Sequence, residues 1–238
     1  MTRSPFQTTV RRYVRRLIRR PPVGLVWFGA LRRTRPISSV FGLDRGRPID
    51  RYYIEGFLDD SRNDIRGRVL EIGEPVYTHQ FGGAAVTQAD VLHVVEGNPQ
   101  ATIVGDLATG QGIPLEAFDC MILTQTLPFV YDMKGVIDNS HRALRSNGVL
   151  LATFPGISQI SRYDMDRWGD YWRFTTLSAK RLFEAVFPPE NVTIASHGNV
   201  LASIAFLHGL AVEDLRRKEL DYNDLDYPIT ITVRAVKP

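Results

Sequence analysis

Between residues 69 and 126, acidic, amide and glycine residues stand at the ends of short apolar runs. VLEIG (69–73) carries Glu71 and ends on Gly73, and VLHVV (91–95) is followed by Glu96, Gly97 and Asn98. TIVGD (102–106) ends on Asp106, with Leu107 behind it, and CMILT (120–124) gives way to Gln125 and Thr126. An acid after a second strand can accept from both hydroxyls of a ribose. An acid after a third can accept from an adenine amino group, and a glycine after the first lets the backbone approach a ligand closely. The set asks for an adenosine and makes no provision for a pyrophosphate, because neither G-x-G-x-x-G after the first run nor G-x-x-x-x-G-K-[ST] anywhere is present. In place of further glycines come residues 74–83, EPVYTHQFGG. Tyr77, Thr78 or backbone amides are the candidates to do the work of those glycines. Glu71 is expected to act indirectly, by fixing this loop, or to meet an ammonium group. Gln125 and Thr126 are expected to form the floor of the site.

A second concentration of chemistry lies at 157–175, ISQISRYDMDRWGDYWRFT. Aromatic rings flanked by acids and arginines suit a polyhydroxylated ligand: rings cover sugar C–H faces while charges hold hydroxyls. A buried-anchor role for Trp172 and Phe174 is the competing reading. Asp164, Asp166, Tyr171 and His79 are the candidate proton acceptors. His93, His141 and His208 read as packing or exposed residues. No metal is expected, since Asp164, Asp166 and Asp170 in so charged a loop are ordinarily solvated.

Elements must exist to place these groups. The near-continuous apolar runs suit a parallel sheet covered on both faces, with further strands at 149–154 and 192–195. Residues 228–236 alternate more clearly, as an antiparallel strand does. Helices are predicted at 133–145, 176–186 and 200–210. Another is predicted after Pro48, with a stripe of Ile49, Tyr52, Tyr53 and Phe57, where Arg51, Tyr52 or Tyr53 can reach a bound ligand. Cys120 is the single cysteine and sits in FDCMIL, so no disulfide framework exists and a buried structural thiol is expected.

The charge is unevenly spread. Residues 1–36 hold ten arginines and no Asp, Glu or Lys, while the whole chain is only +3, so the remainder is net acidic at −7. An acidic body argues against specific nucleic-acid binding. Residues 7–20, QTTVRRYVRRLIRR, give a helix with one apolar and one Arg-rich face. Three arrangements stay open for this arm: on an anionic membrane surface, on a partner protein or a second copy of the chain as a homodimer, or packed on the core. VGLVWFGAL (23–31) is too short to span a bilayer. No secretory signal is read, so the expected location is cytoplasmic, with membrane-peripheral contact through the arm.

The chain resembles the class I S-adenosylmethionine-dependent methyltransferases. VLEIG is similar to their first motif. The stretch GDLATGQGIPLEAFDCMILTQTLPFVYD resembles the segment with their adenine-side acid and fourth strand, and HRALRSNGVLLATFPG their helix-turn-strand unit. GDYWRFTTLSAKRLFE resembles a segment of methyltransferases from polysaccharide pathways. The resemblance covers residues 68–238, behind the basic arm (1–36) and a helical cover (37–67), with an acceptor-side lid near 157–175. It implies an α/β, Rossmann-like, seven-stranded, mostly parallel sheet with an antiparallel last strand and helices on both faces. It implies S-adenosyl-L-methionine as cofactor, held by Glu71, Gly73, Tyr77, Glu96, Asn98, Asp106, Leu107, Gln125 and Tyr53. The implied reaction is O-methylation of a sugar or glycan precursor, with a small-molecule or oligosaccharide acceptor. Methylation of another hydroxyl or an amine, a nucleotide-sugar binder, and a degenerate fold acting as an interaction module are the rivals. Two departures are clear: the altered loop 74–83, and only GNPQA between strands two and three, too short for the usual helix.

Overall fold

The computed structural model describes residues 21–238. The described residues fall into two units, 21–35 and Pro36–Pro238. The first contains a short 3-10 turn, Gly29–Leu31; the amphipathic helix expected over 7–20 lies outside the described residues. Among the described residues no helix is long and apolar enough to cross a membrane.

The second unit is organised around seven strands: β1 (Gly67–Ile72), β2 (Val86–His93), β3 (Ile103–Val104), β4 (Phe118–Thr124), β5 (Leu144–Pro155), β6 (Val192–His197) and β7 (Thr230–Val236). Their order is β3-β2-β1-β4-β5-β7-β6. β7 runs antiparallel to both of its neighbours, and all other pairs are parallel. The expected sheet, with its antiparallel last strand, is therefore present. The bounds differ from expectation at the edge, where β2 runs from Val86 to His93 and β3 is only two residues long, and in the middle, where β5 begins at Leu144 and ends the helix expected over 133–145 at Ala143. A turn without a helix joins β2 to β3.

Because successive strand residues point to opposite faces, the apolar runs feed two cores. Leu70, Met121, Leu123, Leu150 and Ala152 pack on one face with Val136, Ile137 and Phe183. These last come from helices α2 (Met133–Ala143) and α4 (Thr176–Glu184), numbered after α1 (Ile49–Asp60) and the single-turn α3 (Arg162–Met165). Val69, Cys120, Ile122 and Leu151 pack on the other face with Ile54 and Leu58 of α1. Cys120 is fully buried and its thiol is pushed well above the usual range by burial, so it is structural. A third cluster joins Ile49 and Tyr53 to Ala202, Ala205 and Phe206 of α5 (Val200–Leu207), and to Leu220 of α6 (Arg217–Leu220). The buried stripe of α1 is Ile49, Tyr53, Ile54 and Leu58 rather than the predicted set. Tyr52 and Phe57 flank it and stay partly exposed.

Local chemistry starts the helices where they start. The Asp132 carboxylate accepts from the Gly135 N–H at the head of α2, and Thr175 and Ser178 form a reciprocal capping box at the head of α4. Asn199 caps α5 by accepting from the Ala202 N–H at 3.0 Å.

Candidate functional site

Strand order reverses between β1 and β4, and ligands in such sheets bind outside the carboxyl ends at that point. A cavity of about 570 Å³ lies there, lined by Ile72 of β1 and Gly73 just past it, by Leu92 and His93 of β2, and by Thr124 of β4. That volume falls within the roughly 300–1,000 Å³ of small-molecule sites.

Four residues expected to hold a ligand line this cavity: Gly73, Asp106, Leu107 and Gln125. Gly73 has φ +81, and nothing lies within 4 Å of where a Cβ would stand, so a bare stretch of backbone faces open space. Asp106 accepts from the Ala108 N–H at 2.8 Å and the Thr109 hydroxyl at 3.2 Å, which fixes its half-buried carboxylate in a turn after β3. Leu107 adds buried apolar wall. Gln125 adopts φ +50, a left-handed conformation that costs a non-glycine residue about 1–2 kcal/mol. Its N–H donates to the Thr153 carbonyl at 3.0 Å, which holds the turn that sets Gln125 and Thr126 in the wall.

Asn98 does not line the cavity. Its Nδ2 donates to the Gly73 carbonyl at 2.7 Å and its Oδ1 accepts from the Gln100 N–H, so it ties the β2–β3 turn to the end of β1. Glu71 also stays out of the wall. It is 3% exposed, and its carboxylate accepts from the N–H groups of Tyr77 and Thr78 at 3.1 and 2.8 Å and from the Thr78 hydroxyl at 2.7 Å. Burial raises its pKa, and the Thr78 and Tyr77 hydrogen bonds oppose the rise. This is the loop-fixing role, and it explains how the chain manages without the missing glycines: the loop closes on Glu71 and continues as a single π-turn, Thr78–Gly82.

Besides Asn98, four expected positions of the strand-end and helical-cover set lie away from this cavity. Tyr77 is folded back against the second core beside Phe81, with ring centroids 6.0 Å apart, and burial pushes its hydroxyl up to about 12. His79 is exposed on the π-turn and lines no part of the cavity. Glu96 stands on the exposed turn past β2, outside the wall, because β2 ends early and His93 and Val94 take the edge. Tyr53 is 6% exposed in the third cluster, stacked on His197 at 5.9 Å and donating to the Leu220 carbonyl. His93, read as a packing residue, lines the cavity and meets Trp168 edge-on at 5.9 Å.

The segment 157–175 closes the opposite side. Arg173 donates to both oxygens of Asp170 at 2.5 and 2.9 Å, and Asp170 also accepts from the Ser161 N–H at 3.0 Å. Burial would raise the Asp170 pKa, but these bonds outweigh it and the net shift is downward. On this brace, Asp164, Arg167, Trp168 and Tyr171 line the cavity, together with Tyr131, whose ring lies 5.5 Å from that of Tyr171. Asp166 is exposed, pairs with Arg162 at 3.7 Å and does not line it, against expectation. Trp172 and Phe174 pack into the core, which gives them the anchor role. Among the described residues no three His, Cys, Asp or Glu side chains gather as a metal site.

A smaller cavity of about 170 Å³ adjoins the first, and Gln125, Phe129 and Asp164 line both. Asp50, from the first turn of α1, lines it. Sequence reasoning missed Asp50, because an acid at a helix N-terminus is ordinarily explained by the helix dipole.

No protein-family model matches the chain, and no curated protein matches it by sequence. Solved structures match it by fold. An S-adenosylmethionine-dependent methyltransferase from Archaeoglobus fulgidus aligns with a TM-score of 0.52 at 11% identity, over 79% of this chain and 94% of that one. Another, from Thermotoga maritima, gives 0.51 at 13% identity over 98% of each chain. The N-methyltransferase NodS from Bradyrhizobium japonicum, in complex with S-adenosylhomocysteine, gives 0.50 at 15% identity over 85% and 95%. The chain thus has the fold of the S-adenosylmethionine-dependent methyltransferases.

Proposed function

We propose that this protein is an S-adenosylmethionine-dependent methyltransferase, and that its acceptor is a hydroxyl of a sugar or glycan precursor. The observation that carries the reading is the cavity at the strand-order switch, with the bare backbone of Gly73 on one side and the fixed carboxylate of Asp106 on the other. These features fit the cofactor. Asp106 is suited to an adenine amino group, Leu107 to the adenine face, and Gly73 to close backbone approach. When bound, the cofactor supplies an electrophilic methyl group on a sulfonium. The chain's own part is to hold the acceptor in line, exclude water and take a proton. The sugar reading draws on the exposed rings of Trp168 and Tyr171 beside Arg167 and Asp164, which combine flat apolar faces with groups that bind hydroxyls.

One observation favours the interaction-module rival: the loop after β1 is closed on Glu71 and lacks the usual glycines. Incubation of the purified chain with labelled S-adenosylmethionine and, separately, methyl pyranosides and alkylamines decides between the readings. Label is expected in a pyranoside. Label only in an amine would exclude the sugar acceptor, and no label with no cofactor bound would favour the module.

A further inference from the structure

The smaller cavity shares Gln125, Phe129 and Asp164 with the larger one but holds none of Gly73, Asp106 and Leu107. At about 170 Å³ it lies below the roughly 300 Å³ at which drug-sized pockets begin, so it takes one small ring. Three carboxylates face it: Asp50, Asp164 and Asp170. Two are already engaged. Asp170 is held by Arg173, and Asp164 accepts from the Ser161 hydroxyl at 2.5 Å. Asp50 differs. Its carboxylate accepts from the N–H of Arg51 at 2.9 Å, and among the described residues it forms no ion pair with an Arg or Lys. Phe41 and Phe206 supply apolar wall around it. A carboxylate left with free lone pairs, facing a small cavity that opens onto the cofactor site, is placed to receive a hydroxyl.

We infer that this cavity seats a single sugar ring of the acceptor and that Asp50 takes the proton of the attacking hydroxyl. This rests on the methyltransferase reading and adds to it the acceptor subsite and the base. As the acceptor oxygen bonds to the methyl carbon, the carbon–sulfur bond breaks with its electron pair left on sulfur. The hydroxyl proton passes to Asp50, so the sulfonium and the carboxylate are both neutralised, and Asp50 later returns the proton to water. Burial lifts the Asp50 carboxyl to about 6, with the N–H and the charge of Arg51 opposing and Glu55 adding to the rise. Across the cavity it faces Asp164, Asp170 and Arg173. A base of that strength is ionised at neutral pH and still accepts a proton.

Asp50→Asn and Asp50→Glu test this in the full chain. Three quantities are measured: S-adenosylhomocysteine affinity by calorimetry, saturation-transfer NMR of methyl gluco-, galacto-, manno- and rhamnopyranosides on the S-adenosylhomocysteine-bound protein, and turnover on the same sugars between about pH 5 and 8. The Asn variant is expected to keep cofactor affinity within about two-fold and to keep the saturation signal. Its turnover is expected to fall by about 100-fold or more. The wild-type rise in rate through about pH 6 is expected to vanish in the Asn variant, and the Glu variant to restore part of the rate. Asn-variant turnover close to wild type would overturn Asp50 as the base. The absence of any pyranoside signal on a wild-type protein that binds S-adenosylhomocysteine would overturn the sugar subsite. A folded wild type that binds no S-adenosylhomocysteine would instead overturn the methyltransferase reading itself.

Discussion

The loop 74–83 after β1 and the segment 157–175 after β5 draw on similar residue types, acids and aromatic rings near a cavity, and use them in opposite ways. Around the first loop the chemistry turns inward: Glu71 is consumed by three donors and Tyr77 joins the core. In the second, Asp170 is spent on Arg173 and Trp172 and Phe174 go to the core, while Asp164, Arg167, Trp168 and Tyr171 line the cavity wall. The difference lies in what the neighbouring backbone needs. A loop that tucks its N–H groups inside must find an acceptor, and a buried carboxylate supplies one. A segment that lies over a cavity leaves its side chains free for a ligand.

Removing the inward group should have the largest effect. Glu71→Ala leaves two N–H groups and the Thr78 hydroxyl without their acceptor in a buried site. It is expected to cost about 3–5 kcal/mol in urea unfolding. A loss below about 1 kcal/mol would mean that the loop does not depend on this residue. Next, Gly73→Val places a β-branched side chain at φ +81, facing the cavity. S-adenosylhomocysteine affinity should fall by about 100-fold, near 2.7 kcal/mol, and an unchanged affinity would place the cofactor elsewhere.

The brace in 157–175 should show its effect through pH. Asp170 has a folded pKa below its ordinary 3.8, so its contribution is present above that value and is lost as pH falls through the folded one. Asp170→Asn should therefore destabilise by about 1–3 kcal/mol at neutral pH, with the gap to wild type closing in acid. A gap that widened in acid would refute the brace. The smallest effects should come from Tyr77→Phe and Glu96→Ala, both outside the cavity wall. Each should leave S-adenosylhomocysteine affinity within about two-fold, in keeping with positions that touch no ligand. A ten-fold loss in Glu96→Ala would return that acid to the site.

Much of the fold was legible because burial on both faces writes itself into the sequence. The runs at 69–73, 120–124 and 149–154 became the inner strands β1, β4 and β5. The alternation at 228–236 marked the antiparallel strand β7. That Gly73, Asp106, Leu107 and Gln125 gather at one cavity was legible because the topology fixes where a strand end points. Glu96 was misread because strand length at the thin edge is set by pairing with a two-residue neighbour, β3, which the apolar run 91–95 does not reveal. Tyr53 and Tyr77 were misread because an aromatic residue near a site carries no mark of the side it packs on. The places of Asp50 and His93 were not legible because their neighbours come from distant parts of the chain, the turn after β4 and the 157–175 segment for one and Trp168 for the other.

The cofactor reading places S-adenosylmethionine in the cavity at the β1–β4 switch, against Gly73 and Asp106. Calorimetric titration of the full chain with S-adenosylhomocysteine, beside Asp106→Ala, decides it. Binding is expected in the micromolar range, weakened about ten-fold by the substitution, which corresponds to the loss of one charge-assisted hydrogen bond. A folded protein that binds nothing, or one that binds equally well without the Asp106 carboxylate, would contradict it.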